Sequence, residues 1–170
     1  MKSQNDTPLP PPLPLPDRCA RVAEALAAAA LPPDRIRVLD ASARTAAEAA
    51  AALGCAVGAI ANSLVFLSGG EPVLVMTSGG HRVDTAALAA RWGRPELRRA
   101  TPEEVRGATG QAIGGVAPVG HPRQLPTVVD ESLVGRDRIW AAAGTPHTVF
   151  STTAAELLLL TGGRLLPVGP

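Results

Sequence analysis

Lysine is almost missing from this chain of 170 residues: its single copy is Lys2, and every other basic side chain is arginine. That excludes Schiff-base chemistry and a phosphate-loop lysine from the body of the protein. Aromatics are nearly as scarce, with Phe66, Phe150, Trp92 and Trp140 and no tyrosine. They are too few to build the stacking platforms of sequence-independent single-strand binders. The two cysteines, Cys19 and Cys55, are far apart in apolar helical settings, so buried free thiols are expected and a disulfide framework is not. No apolar run reaches the roughly 20 residues of a membrane span, and the start of the chain lacks the pattern of a secretory signal. These absences predict a cytoplasmic protein with no membrane partner. The formal net charge of +1 excludes a globally basic nucleic-acid binder and leaves room for a local patch. Arg91, Arg94, Arg98, Arg99 and Arg106, around two predicted helices, are the candidate patch; a solvated helix face is the plainer reading of the same residues.

What is present is alanine, valine, leucine, glycine and proline in distinct blocks. Residues 1–16 end in LPPPLPLP, a composition that favours polyproline II and predicts a disordered leader before one domain spanning residues 17–170. Asp17 is placed to cap a first helix carrying Val22 and Leu26 at helical spacing, ending before Pro32 and Pro33. Thr45-Ala-Ala-Glu48, Thr101-Pro-Glu-Glu104 and Thr153-Ala-Ala-Glu156 are capping boxes that open three further helices, and Asp84 caps another through about Trp92. Strands are expected at 36–39, 60–67, 72–77, 127–129, 139–142 and 148–151, with Gly69-Gly70 turning a hairpin. Helices and strands alternate irregularly, so the expected fold class is α+β: a mixed, mostly antiparallel sheet flanked by helices.

The segment Gly110–His121, GQAIGGVAPVGH, combines flexible backbone with Ile113, Val116 and Val119, which can pack inward. Its N–H groups need acceptors, and a ligand oxygen is one; a glycine bulge in a β-structure is the other reading. Asn62 and Ser63 interrupt the apolar strand IANSLVFL, and because neighbours on a strand face opposite sides, one of them points to the core or to a pocket. His81, His121 and His147 sit in Gly/Pro loops without the spacing of a metal motif. A Ser-His-Asp set drawn from Ser63 or Ser78, a histidine and Asp130 lacks a nucleophile elbow.

Taken together, ASARTAAEAAAALGC (41–55), IANSLVF (60–66), GEPVLVMTSGGHRVD (70–84), ATPEEVRGATGQAIGGVAPVGH (100–121) and AAGTPHTVF (142–150) resemble the YbaK-type aminoacyl-tRNA deacylases. That superfamily includes the editing domain of bacterial prolyl-tRNA synthetases and free-standing relatives. The resemblance implies a curved or barrel-like sheet and hydrolysis of the ester joining a wrong amino acid to the 3′ end of a tRNA. It implies no cofactor and no metal. Aminoacyl-tRNA is the implied partner, with a synthetase as a second. The family's G-x-x-x-P loop falls on Gly114–Pro118. Its strand lysine falls on Asn62, and its serine and aspartate fall on Ala142 and Val149. The implied catalytic set is therefore Asn62, Gly114 and Gly115. Ser63, His81, Val116, Pro118, His121, Gly144 and His147 are the implied substrate contacts. A non-catalytic binder of aminoacyl-tRNA or of an aminoacyl-adenylate-like molecule is the alternative, because the charged half of the site is missing.

Overall fold

The computed structural model describes residues 19–170; the proline-rich leader and the proposed Asp17 cap lie outside the described residues. The local signals act as their chemistry dictates. The Thr45, Thr101 and Thr153 hydroxyls accept the N–H groups of Glu48, Glu104 and Glu156, opening α2 (Ala46–Leu53), α4 (Pro102–Thr109) and α5 (Ala154–Thr161). Asp84 does the same for α3 (Thr85–Trp92), accepting from Ala87 N–H. Each of these four helices ends on a left-handed glycine. The first helix, α1 (Ala20–Ala28), starts after Cys19 without a side-chain cap.

Eight strands form one sheet: β1 (Ile36–Val38), β2 (Ile60–Ser68), β3 (Glu71–Ser78), β4 (Leu97–Arg99), β5 (Thr127–Asp130), β6 (Ile139–Ala142), β7 (Thr148–Thr152) and β8 (Arg164–Leu166). Its order is β1-β7-β6-β2-β3-β5-β8, with β4 also paired to β2. The order has two ends, so the sheet is open and not a closed barrel. Pairings β1/β7, β2/β3, β2/β4 and β6/β7 are antiparallel, and β2/β6, β3/β5 and β5/β8 are parallel. The sheet is mixed, as expected.

Period-two alternation in β2 divides the core. Ala61 and Val65 face a cluster with Val22 and Leu26 of α1, Val105 of α4 and Leu157 of α5. Phe66 faces the opposite side, against Leu88 and Trp92 of α3. Ile60, on that same side, packs with Ala49 and Ala50 of α2 and with Trp140. Asn62 falls between these two apolar clusters on one face, which is why the strand is interrupted there.

The sheet forks beside Asn62. On one edge, β2 pairs with β6 only at Ile60–Ala61 and with β4 only at Phe66–Ser68. The backbone edge from Asn62 to Leu64 has no strand partner on that side, and the fork is where a hollow forms. At the far end of β3, the buried Asp130 carboxylate accepts from Ser78 N–H (3.0 Å), Ser132 N–H (2.9 Å) and the Thr77 hydroxyl (3.4 Å). Both cysteines are free; Cys19 is buried with its thiol on Thr148 Oγ1 at 3.2 Å, and Cys55 is half-buried, more open than the sequence suggests.

Candidate active site

Asn62 lies opposite Thr77 on β3. Continuing the parallel register of Ile60–Trp140 and Ala61–Ala141 by one residue brings Asn62 beside Ala142, which in turn stands opposite Val149. Residues 62, 142 and 149 therefore form a row across three neighbouring strands on one face. All three line the hollow at the fork, together with the α2 entrance (Arg44, Thr45) and Gly114 and Val116 of the glycine loop. The space in it open to the centre of a water molecule is about 40 Å³, several times the roughly 10–15 Å³ that one water needs on that measure. Most of the wall is apolar, with Ala49, Ile60, Ala61, Trp140 and Val149. Arg44 is the only ionisable side chain among the described lining residues. The Asn62 amide is half-buried and makes no hydrogen bond to a described residue, so its donors and acceptor remain available. Ser63 borders the same hollow, but its hydroxyl donates to Met76 Sδ at 3.2 Å.

The glycine loop is held by the side chain of Gln111, which sequence reasoning overlooked. Its buried carboxamide accepts Ala117 N–H at 2.7 Å and donates to the Val119 carbonyl at 3.3 Å. Gly114 has φ +91°, a conformation that disfavours any side chain, and it stacks on Arg44. Gly115 is there for a different reason: a Cβ at that position would lie 2.5 Å from the Thr145 carbonyl carbon and 2.7 Å from its Cα. The loop thus packs directly on the Gly144–His147 turn. That turn in turn carries the strand-to-α2 connection, because Leu39 and Ala43 N–H donate to the His147 and Pro146 carbonyls.

The loop's N–H groups divide cleanly. Gly115 N–H goes to the Ala112 carbonyl at 3.1 Å and Ala117 N–H goes to Gln111. The N–H groups of Gly114 and Val116 have no partner among the described residues. The Gly115 N–H thus closes its own turn, while those of its two neighbours point to no described acceptor.

The histidines do not converge on the hollow. His147 is exposed at the turn with its backbone N–H on Thr145 Oγ1, and Gly144 is buried beneath it. Pro118 and His121 line a separate, wider groove between α1 and α5. There the His121 Nε2–H donates to the Ala117 carbonyl at 2.7 Å, and burial pushes its pKa down. His81 borders a third hollow, with Nδ1 3.3 Å from the Asp130 carboxylate. Two members of the Ser-His-Asp set do meet there, but the Ser78 hydroxyl donates to the Gly58 carbonyl at 2.8 Å and Asp130 serves as a brace. No three His, Cys, Asp or Glu side chains among the described residues are grouped to hold a metal ion, and no described helix is long and apolar enough to cross a membrane.

This architecture has close counterparts. A solved protein described as a "putative trans-editing enzyme for prolyl tRNA synthetase" superposes with a TM-score of 0.84 at 44% identity, covering 92% of this chain and 99% of that one. YwhH of Bacillus subtilis (strain 168), an uncharacterised protein, is 31% identical over 117 residues, 68% of this chain and 74% of its own. The proline–tRNA ligase of Nitratidesulfovibrio vulgaris (strain DP4) is 35% identical over 78 residues, which are 46% of this chain and only 14% of the ligase. The sequence pattern described as "Aminoacyl-tRNA editing domain" spans residues 40–160, from the loop before α2 to the end of α5 and so across the whole hollow. With the fold shared and the family pattern spanning most of the chain, the chain belongs to the aminoacyl-tRNA editing domain family, the deacylases that act on mischarged aminoacyl-tRNA.

Proposed function

We propose that this protein is a cytoplasmic trans-editing deacylase that removes a small, uncharged amino acid, alanine in the first instance, from tRNA for proline. The observation that carries the choice of substrate is the wall of the hollow, which is built from Ala49, Ala61, Ala142 and Val149. A small uncharged side chain meets only alanine and valine side chains on these walls, and nothing there would pair with a charged one. The names of the relatives support tRNA for proline, since they include proline–tRNA ligases and a "Putative Cys-tRNA(Pro)/Cys-tRNA(Cys) deacylase". A prolyl-tRNA synthetase is the corresponding functional partner.

Asn62 orients the ester by hydrogen bonding its carbonyl or the terminal ribose. Gly114 and Val116 N–H groups face the oxygen on which negative charge develops, and fixed donors of this kind contribute a few kcal/mol to such a step. Water adds to the carbonyl carbon, the acyl–oxygen bond to the ribose breaks, and the ribose oxygen takes the proton. The base is a group of the substrate, its α-amino group or the vicinal hydroxyl, because the described lining holds no carboxylate, imidazole or lysine.

Deacylation of tRNA for proline charged with alanine, serine, cysteine or proline tests this directly. Alanyl ester is expected to be cleaved fastest and prolyl ester to be spared. Asn62→Ala should lower kcat/KM at least about tenfold, since one oriented hydrogen bond is worth about 1 kcal/mol or more. It should leave Tm within a few degrees, because the amide has no partner among the described residues to lose. Cleavage of prolyl ester at the alanyl rate, or indifference to Asn62→Ala, would overturn the assignment.

A further inference from the structure

We infer that four arginines surrounding this hollow, Arg37, Arg44, Arg136 and Arg138, form the phosphate-binding collar for the 3′ end of the RNA. The inference rests on the deacylase reading above and adds to it the surface that holds the nucleic acid. Arg44 lines the mouth of the hollow and packs against Gly114. Arg37 stands opposite Val149 in the strand register, and its guanidinium lies 5.0 Å from the centre of the Trp140 ring. Arg138 covers the same ring at 5.8 Å. Arg136 reaches over Gly58, two residues before Ile60 of the lining, where any Cβ would collide with it. All four side chains are exposed.

None of the four guanidiniums forms an ion pair or hydrogen bond with a described residue, and all four gather around one hollow. Ion pairs among the described residues take Arg35 to Glu156, Arg94 to Glu71 and Arg98 to Glu104. Arg91 donates to the carbonyls of Pro167 and Gly169, and Arg99 lies over Phe66. Four of the five arginines that the sequence suggested as a nucleic-acid patch are therefore used within the fold. The collar arginines form no ion pair with a described residue, although Asp40 and Asp137 lie in the same segments and are exposed. Glu48 adds a third carboxylate, accepting the Arg44 backbone N–H at 3.0 Å, and four positive side chains against these three still leave the rim positive.

The occupant follows from the geometry and the charge. The mostly apolar wall of the hollow suits the aminoacyl group, which leaves the ribose and the last phosphates to the charged rim. The Trp140 ring is already covered by two guanidiniums and is not free to stack a base. Stacking on the ring instead holds the two forks in place, which lowers the ordering cost when they meet phosphate oxygens.

The test uses the full chain and an uncharged RNA minihelix ending in CCA, with binding measured by anisotropy across a salt series. Replacing Arg37, Arg136 and Arg138 together by Gln should weaken binding at least tenfold. It should also flatten the slope of log K against log salt by roughly one for each phosphate that is no longer neutralised. The same three positions changed to Lys should restore the slope, and Arg136→Glu alone, which touches no core ring, should weaken binding without lowering Tm. Arg98→Ala with Arg99→Ala should leave the slope as it is. An unchanged slope in the Gln variant, or a slope that falls instead with Arg98 and Arg99, overturns the collar. Minihelix binding that depends on the collar without any ester hydrolysis leaves the collar standing and refutes the deacylase reading. Hydrolysis with a KM indifferent to the collar does the reverse.

Discussion

Replacing Gly115 by Ala tests the way the site is built. Gly115 carries no left-handed φ, so the substitution has no dihedral cost of its own; its effect comes from contact alone. The new Cβ would stand 2.5 Å from the Thr145 carbonyl carbon, 2.7 Å from its Cα and 2.9 Å from Pro146 N. Ordinary carbon contacts lie at about 3.5–4.0 Å, so the glycine loop and the Gly144–His147 turn must separate by about 1 Å. Both partners are backbone, and neither can rotate away. Overpacking of this kind costs about 1–3 kcal/mol, which for a domain of this size lowers Tm by about 3–10 °C. The same shift moves the Gly114 and Val116 N–H groups off the ester oxygen, and a misplacement of about 1 Å is worth about a hundredfold in rate. The assay is calorimetry beside initial rates on alanyl-tRNA for proline. Gly107→Ala is the control, because Gly107 lies inside α4 with no atom near its missing Cβ. It should leave the rate alone and raise stability by up to about 1 kcal/mol. A Gly115→Ala protein with unchanged Tm and rate would refute the claim that the loop and the turn are packed as one unit.

Asn62→Lys should lower both stability and alanyl-ester cleavage and shift selectivity among side chains, because its ammonium meets Arg44 and the apolar Ala142 and Val149 and finds no carboxylate. A lysine pKa depressed in this way makes the Tm deficit shrink as pH rises from 7 toward 10, which a pH series of melts reads directly. Asp130→Ala leaves the Ser78 and Ser132 N–H groups without an acceptor and should cost about 2–5 kcal/mol in denaturant melts, with the fold weakened at the end of β3. The half-buried His121 has its pKa lowered by desolvation, so the unfolded chain binds the proton more readily. Its stabilising effect is complete above the unfolded value of about 6.5 and is lost as pH falls from there toward the folded pKa; His121→Gln should flatten that part of the stability curve.

The sequence alone determined the elements that rest on local chemistry. Three capping boxes and the Asp84 cap were legible because the cap and the N–H that donates to it lie three residues apart, and a helix start needs nothing more distant. Hydrophobic alternation in IANSLVFL marked Asn62 as out of place on a buried face, and the ordered motifs carried the family and hence the sheet. What it could not show is set by pairing across the chain. Strands β4 and β8, three residues each, exist only because β2 and β5 offer them an edge. The three histidines share a Gly/Pro setting in sequence but face three different parts of the molecule. Whether the Gly115 N–H was free depended on a turn back to Ala112. The arginines at 37 and 138 are a hundred residues apart, and only the register of β1, β7 and β6 brings both onto Trp140. Tertiary structure also decided which arginines were already neutralised, because an ion pair depends on where a carboxylate lands in space and not on how many charges a segment holds.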